Sequence, residues 1–431
     1  MDVFVEGFKI VFFGILVFSL IVVVHEAGHF TAARLFGLRV KEFMLGLPGP
    51  NIGFTFKGTK FGVTPILLGG YALIAGEGGN RDNTHLAAAL CYLAERGTLS
   101  EEDARAAQKV LGYDLEEALD VLDAWGTIKR LKVKGRYLYQ MLATADVALG
   151  DPRPITAADA EALIAAERKL TFNAAPWYQR IIILAAGVIF NLLFAIIVLT
   201  AVQMAVGAQV PTTTLEQVVA ESPAEQAGLQ PGDTVVAFEE EPVESWTQLQ
   251  GLIGANGPGT EVTVTAERGG STHTYTVTLA DSDGRALLGV VPANEKVPIP
   301  FTEALSTSVG LIGVVATAIV KLFSPATFSE VVSQSSSVIG VSFMAKDAAE
   351  SGFMPFIVLT AALSISIGLM NLLPFPPLDG GRIVVETIER VARRRIPTRV
   401  INSISVTALV LLVMLFLFVT NQDIQNYIIG G

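Results

Sequence analysis

The stretch His25-Glu26-Ala27-Gly28-His29 holds residue types at a spacing that suits hydrolytic chemistry. On a helix, residues four apart share a face, so both imidazoles can hold one Zn²⁺ with the glutamate beside it as general base. The chain offers four histidines (His25, His29, His85 and His273) and one cysteine, Cys91, so a cysteine-based zinc cluster and an intrachain disulfide are both excluded. The motif is short enough to arise by chance, and its setting decides its weight. It continues an apolar run, 10–24, that extends to residue 33. Three ionisable groups in five residues of a span are expensive without a compensating partner, and a metal supplies one. The competing reading ends the span at Val24 and leaves the motif at the interface.

Two histidines leave a catalytic zinc short of one protein ligand. His85 and His273 lie in separate soluble segments. Asp379 is the better candidate, in the segment NLLPFPPLDGG that follows the apolar run 353–373. Its prolines and glycines break the helix, and irregular backbone at membrane depth is tolerated where it lines a cavity. A plain Asx turn before the two glycines is the alternative. With His25, His29 and Asp379 around one Zn²⁺, a water in the fourth position would be acidified to near neutrality. Glu26 would take its proton and pass it to a leaving amine.

These residues need spans to position them. The 431 residues are 51% hydrophobic and only 16% charged, unlike an ordinary soluble domain. Runs 181–202, 353–373 and 400–420 are uncharged and long enough to cross a bilayer, and 10–33 joins them. A signal peptide fits the first run poorly, because Asp2 and Glu6 outweigh Lys9 and no cleavage site follows. Arg34, Arg39 and Lys41 follow that run, and Arg382, Arg390, Arg393, Arg394, Arg395 and Arg399 follow the third, which places both loops in the cytoplasm. Four spans satisfy this, with both chain ends and 205–350 outside. Residues 304–320 are apolar but short, between Glu303 and Lys321. They are read as a surface-packed amphipathic helix, since a further crossing would carry the arginine loop outside.

At these residues the chain resembles the site-2 protease family of intramembrane zinc metalloproteases, in its bacterial regulator-of-sigma-E protease branch. His25-Glu26-x-x-His29 resembles the first family motif and Leu378-Asp379-Gly380-Gly381 the second. Gly46 to Gly49 and Gly69-Gly70-Tyr71 are similar to segments that build a membrane-associated β structure. Gly187 to Asn191 resembles the family's G-x-x-x-N, although Val188 stands where proline is usual. The segment from Ser335 to Gly340 departs from the usual S-G-P-x-G. The resemblance implies one Zn²⁺ per chain and substrate-positioning roles for Asn191, Asn371 and Pro374. Gly187 has the plainer reading of allowing close helix packing. The implied substrates are single-span membrane proteins, such as anti-sigma factors or signal-peptide remnants, cut within a bacterial cytoplasmic membrane.

The expected architecture is a polytopic α-helical membrane protein of four transmembrane helices, with an inserted mixed α/β PDZ-like domain and a cytoplasmic winged-helix-like insertion. Its parts are 1–80 (first span and β segment), 81–172 (insertion), 173–206 (second span), 207–295 (PDZ), 296–350 (connecting helices) and 351–431 (last two spans). In the PDZ-like part, 218–220, 234–238, 261–266 and 275–279 read as strands and 246–255 as a helix. In the insertion, 84–96, 100–111 and 114–125 read as helices and 127–139 as a hairpin turning at Lys134-Gly135. The acidic third helix disfavours nucleic acid as a partner. A cytoplasmic protein, or the bilayer surface touched by Lys129 to Arg136, fits better. The alternative to a protease is a non-enzymatic membrane scaffold carrying two adaptor modules.

Overall fold

The computed structural model describes residues 2–67, 69–77, 85–133, 136–141, 156–282, 284–333 and 335–425. They form two compact units, Met1–Val198 with Ser308–Gly431, and Leu199–Thr307. The first unit opens with α1 (Asp2–Leu35), which carries the histidine motif near its C-terminal end. Four strands follow: β1 (Val40–Leu45), β2 (Ile52–Phe56), β3 (Thr59–Val63) and β4 (Gly70–Ile74). Their order is β2-β3-β1-β4, with β1 and β3 parallel and the other pairs antiparallel. The edge strand β4 lies against α1 so closely that a Cβ on Gly70 would stand 3.1 Å from Val22.

The insertion runs α2 (Leu86–Arg96), β5 (Thr98–Ser100), α3 (Glu101–Leu111), α4 (Leu115–Trp125), β6 (Ile128–Val133), β7 (Arg136–Met141) and α5 (Ala157–Arg168). The strands form an antiparallel sheet ordered β5-β7-β6. Three helices start on side-chain caps: Ser100 accepts from Asp103, Asp114 from Glu117, and Thr156 and Asp159 form a capping box. Leu90, Leu93, Leu115, Leu119, Leu122, Ile128 and Tyr139 make a dry core. The expected helix start at Thr84 and the hairpin turn at Lys134-Gly135 lie outside the described residues. Acids and bases pair within this domain: Arg130 with Glu101, and Arg105 with Glu116. Cys91 packs half-buried against the core, as a small apolar residue would. The domain is tied to β1. Arg39 pairs with Glu167 and donates to the carbonyls of Trp125 and Gly126, while Lys41 donates to that of Asp123. The chain then enters α6 (Trp177–Val206).

The second unit contains β8 (Ala208–Val218), α7 (Pro223–Gln226), β9 (Thr234–Phe238), β10 (Glu241–Pro242), α8 (Trp246–Ala255), β11 (Glu261–Arg268), β12 (Ser271–Thr278), β13 (Ala280–Ser282), β14 (Arg285–Leu287) and β15 (Val290–Val297). Its main sheet is ordered β12-β11-β9-β8-β15, around Leu215, Phe238, Leu249 and Val264. Of the strand expected at 218–220 only Val218 is in a strand, as the last residue of the longer β8. Pro211 argues against a strand there, yet it pairs with Asn294 beside a register shift, where a missing N–H is tolerated. His273 sits exposed in β12, its ring 6.3 Å from that of Tyr275.

Beyond this unit run α9 (Phe301–Lys321), α10 (Phe328–Ser333), α11 (Val338–Ser351), α12 (Phe353–Asn371), α13 (Asp379–Ala392) and α14 (Thr398–Ile424). Among the described residues, five helices are long and apolar enough to cross a membrane, namely α1, α6, α9, α12 and α14, rather than the four expected. The added one is α9. It starts level with the end of α6, where Gln203 meets the Ala304 carbonyl at 3.5 Å, and just past its end Phe323 packs on Phe375 at 6.2 Å. The objection to a further crossing fails because α11 turns the chain back. Ser342 faces Gly14, Lys346 pairs with Glu6 at 3.0 Å and Glu350 with Lys9 at 2.7 Å, so α11 runs antiparallel to α1. Descent and return cancel, and α12 runs parallel to α1. The departure from the family pattern at 335–340 forms the start of α11. Ser337 caps it, and the buried Asp423 at the end of α14 accepts the N–H groups of Ser337 and Gly340 at 2.6 and 3.2 Å.

In the second unit Asp233 is fully buried, and Arg268 grips its two oxygens at 2.6 and 2.8 Å. The guanidinium, helped by the Gln230 N–H, holds this carboxyl below its ordinary pKa against the effect of burial. Such a pair stabilises the fold above the unfolded carboxylate value of about 3.9, and that contribution is lost as pH falls below it. Hydrogen exchange across residues 199–307 of the full-length chain should be faster in Arg268→Ala than in wild type at neutral pH. The difference should shrink as pH falls below about 4 and vanish only below the lower native-state pKa of Asp233.

Candidate active site

His25 and His29 stand one helical turn apart on α1, each 8% exposed. Their Nε2 atoms are 3.2 Å from each other, and Asp379 Oδ2 lies 3.0 Å from the first and 3.2 Å from the second. A tetrahedral zinc with bonds of about 2.0–2.1 Å separates its ligand atoms by about 3.3 Å, so this triangle fits one face of such a site. His85 is not part of it and stacks on Tyr113.

The protonation pattern supports the fit. His29 Nδ1 lies 2.8 Å from the Ile183 carbonyl, which can only accept, so the ring proton sits on Nδ1 and Nε2 presents a lone pair. His25 Nδ1 faces the side-chain amide of Asn191 at 3.4 Å, and Asn191 Oδ1 is buried without a partner. Amide oxygen and nitrogen are assigned by their network. The orientation that satisfies both groups puts Oδ1 on the His25 Nδ1–H, again freeing Nε2. Asp379 Oδ2 is likewise buried without a hydrogen bond. Three acceptors converge with no proton between them, and a cation satisfies all three.

The surrounding backbone explains how these atoms meet. A Cβ on Gly28 would stand 2.2 Å from the Ala186 carbonyl, so α1 and α6 cross at backbone contact. A Cβ on Gly187 would stand 2.5 Å from His29 Nε2 and 2.8 Å from His25 Nε2. Gly187 therefore clears the space in front of both imidazoles and is more than a packing residue. Asn191 is fully buried, and Ser364 of α12 donates to its carbonyl at 3.1 Å. After α12 the chain folds back on itself. A Cβ on Gly380 or Gly381 would stand 2.1 Å from the Leu372 carbonyl or from Pro376 N, so the pair of glycines is required for α13 to begin at Asp379.

Glu26 is fixed by the edge strand, its Oε2 accepting the Ala72 N–H at 2.8 Å. It opens on a cleft of about 510 Å³ together with the two histidines and Asp379. Glu42, Tyr71, Glu77 and Arg382 bring polar groups to the cleft lining. The Tyr71 hydroxyl donates to Glu42 at 2.8 Å, and Arg382 pairs with Glu77. Sequence reasoning missed Glu42, Tyr71 and Glu77 as lining residues and used Arg382 only for orientation. Asn371, half-buried at the end of α12, and the exposed Pro374 are not among the cleft's lining residues.

A family model described as Peptidase family M50 matches residues 13–415. A putative zinc metalloprotease of Lactococcus lactis is 26% identical, over 95% of this chain and 97% of its own. Zinc metalloprotease RasP of Geobacillus kaustophilus is 26% identical over 98% and 99%, and the probable protease eep of Enterococcus faecalis 25% over 96% and 98%. Among solved structures, the PDZ domain of the SdrC-like protein from Listeria monocytogenes aligns with 20% of this chain and 93% of its own, at 18% identity and a TM-score of 0.18.

Two substitutions test the geometry. Gly187→Ala places a methyl group against both ligand nitrogens and should lower bound zinc, read by elemental analysis, with activity down about 100-fold. Asn191→Leu removes the partner of His25 and should weaken zinc binding about 10–100-fold, while Asn191→Asp, which keeps an acceptor, retains it better.

Proposed function

The chain belongs to peptidase family M50, the site-2 protease family of zinc metalloproteases, and from that premise we propose that it cuts single-span membrane proteins within or beside their transmembrane segments. His25, His29 and Asp379 hold the zinc in this reading, and Glu26 is the general base. The observation that carries it is the meeting of three potential ligand atoms, drawn from α1 and the start of α13, with a glutamate lining the same cleft. Bound zinc supplies a Lewis acid that acidifies water and polarises the scissile carbonyl. Glu26, anchored on the Ala72 N–H, takes the proton of the attacking water and returns it to the leaving amine.

A transmembrane helix hides its peptide bonds, so the substrate must be extended at the site. β4 is an edge strand whose Ala72 N–H points at Glu26, away from β1. An unwound substrate segment pairing along that edge would lay its backbone beside the general base. Asn371 and Pro374, in and after the end of α12, are proposed to steer that segment. Asn191 orients His25. The lysine and arginine distribution supports an orientation with the insertion and the arginine loop in the cytoplasm of a bacterial membrane and the PDZ-like unit outside. That unit would screen bulky ectodomains, so an earlier cut outside the membrane precedes this one. Membrane-bound anti-sigma factors and signal-peptide remnants fit this description. The insertion, with its acidic third helix, suits a protein partner better than nucleic acid.

The test is cleavage of a single-span model substrate by the purified protein in lipid. Wild type should cleave, lose activity to a chelator and regain it with Zn²⁺. Glu26→Gln should keep its zinc and be slower by about 100-fold or more. Cleavage by Glu26→Gln at the wild-type rate would remove Glu26 from the mechanism. Absence of both zinc and cleavage in wild type would favour the scaffold.

A further inference from the structure

At its N-terminal end α6 borders a second cavity, of about 520 Å³, separate from the zinc cleft. The insertion contributes Trp125 and Arg168, α6 contributes Trp177, and the end of α13 contributes Arg390, with Arg393 and Arg394 just beyond. Six guanidinium groups line this space against one carboxylate, Glu389. Arg180 is engaged by Glu386 at 3.0 Å, and Arg395 has a partner of its own. Glu389 accepts the Ile396 N–H at 3.0 Å. Among the described residues Arg390, Arg393 and Arg394 make no hydrogen bond or ion pair. The indole Nε1–H of Trp177 is buried without an acceptor, and the Arg168 guanidinium lies 5.9 Å from the Trp125 ring centre.

Arginines at a helix C-terminus gain from the helix dipole, which accounts for Arg390. It does not account for arginines from α5, α6 and the segment past α13 meeting in one concave space. Like charges gathered this way repel, and a buried donor without an acceptor is rare in a folded protein. The backbone adds a third sign. Arg393 ends α13 at φ +51°, a left-handed conformation that non-glycine residues seldom adopt and that collects at binding sites. One anion with several oxygens would satisfy all of these groups.

We infer that this cavity binds a phosphate group, held by Arg390, Arg393 and Arg394 with the Trp177 indole N–H as a further donor. Guanidinium forks match phosphate oxygens in pairs. The cavity lies at the N-terminal end of α6, a helix long and apolar enough to cross a membrane, and basic pockets between such helices take anionic lipids. A soluble phosphate ester offers the same oxygens. Its occupant would join the insertion to α13, whose first residue is the candidate ligand Asp379.

Two of the three tryptophans line this cavity and the third, Trp246, lies in the other unit, so intrinsic fluorescence reports on it. Full-length protein in phosphatidylcholine nanodiscs would be titrated with inorganic pyrophosphate. In a parallel series the phosphatidylglycerol fraction of the nanodisc would be raised. We expect a saturable change in at least one series. Arg390→Gln/Arg393→Gln/Arg394→Gln should weaken it on the order of 100-fold, about fivefold per arginine. Arg285→Gln, an equally exposed charge in the other unit, should leave it unchanged. Saturation by pyrophosphate would identify a soluble ligand, and a response confined to phosphatidylglycerol a lipid. No saturable change in either series, or the same change in the triple variant with its zinc retained, would overturn the inference.

Discussion

Three lone pairs that must meet in apolar surroundings constrain the rest of this molecule. His25 Nε2, His29 Nε2 and Asp379 Oδ2 stand 3.0–3.2 Å apart, and none can donate to another. Both imidazole protons must therefore be held on the far side of each ring. Both holders, the Ile183 carbonyl and the Asn191 side chain, belong to α6. That requirement brings α6 against α1 at backbone range, which side chains larger than hydrogen at Gly28 and Gly187 would prevent. α12 then seats on α6 through Ser364 and delivers the turn that ends at Asp379. The meeting of these three atoms thus goes with the packing of three helices. In a bilayer, where apolar helices gain little from one another over lipid, contacts of this kind have to supply the specificity.

The same constraint fixes direction. Ligands at the C-terminal end of α1 and just past the C-terminal end of α12 can meet only if the two helices run parallel. Between them the chain must make an odd number of passes. α6 supplies one, and α9 followed by α11 supplies two more. These three passes return Asp379 to the level of His29. The half-length α11 suffices because Asp423 of α14 caps its start and the Lys346–Glu6 and Lys9–Glu350 pairs secure its end.

This logic sets how far the site could be read from residues alone. The histidine motif, the broken helix before Asp379 and the long apolar runs are local patterns, so they were legible. The agreement in side between His29 and Asp379 followed from charge bias. α11 was not legible, because a helix bearing Lys346, Asp347 and Glu350 does not look like part of a membrane bundle until Lys346 finds Glu6 and Glu350 finds Lys9. The place of Asn191 was legible only as a resemblance. Its burial against His25 depends on the crossing of α1 and α6, which no sequence spacing records. Glu42, Tyr71 and Glu77 were lost for a related reason. They converge through the strand order β2-β3-β1-β4, in which β4 pairs with β1 across the intervening hairpin.

Arg39 and Lys41 show how one residue can carry two signals. In the sequence they set orientation; in the fold they clamp the insertion through Glu167, Asp123 and the carbonyls at the end of α4. The insertion leaves the core just after β4 and rejoins it just before α6. Its exit and entry are bonded to each other, Phe172 donating to the Ala75 carbonyl at 2.8 Å and Arg39 to that of Leu170 at 2.9 Å. β4 holds Glu26 and α6 orients both imidazoles. The insertion is therefore anchored directly on the two elements that align Glu26 with His25 and His29.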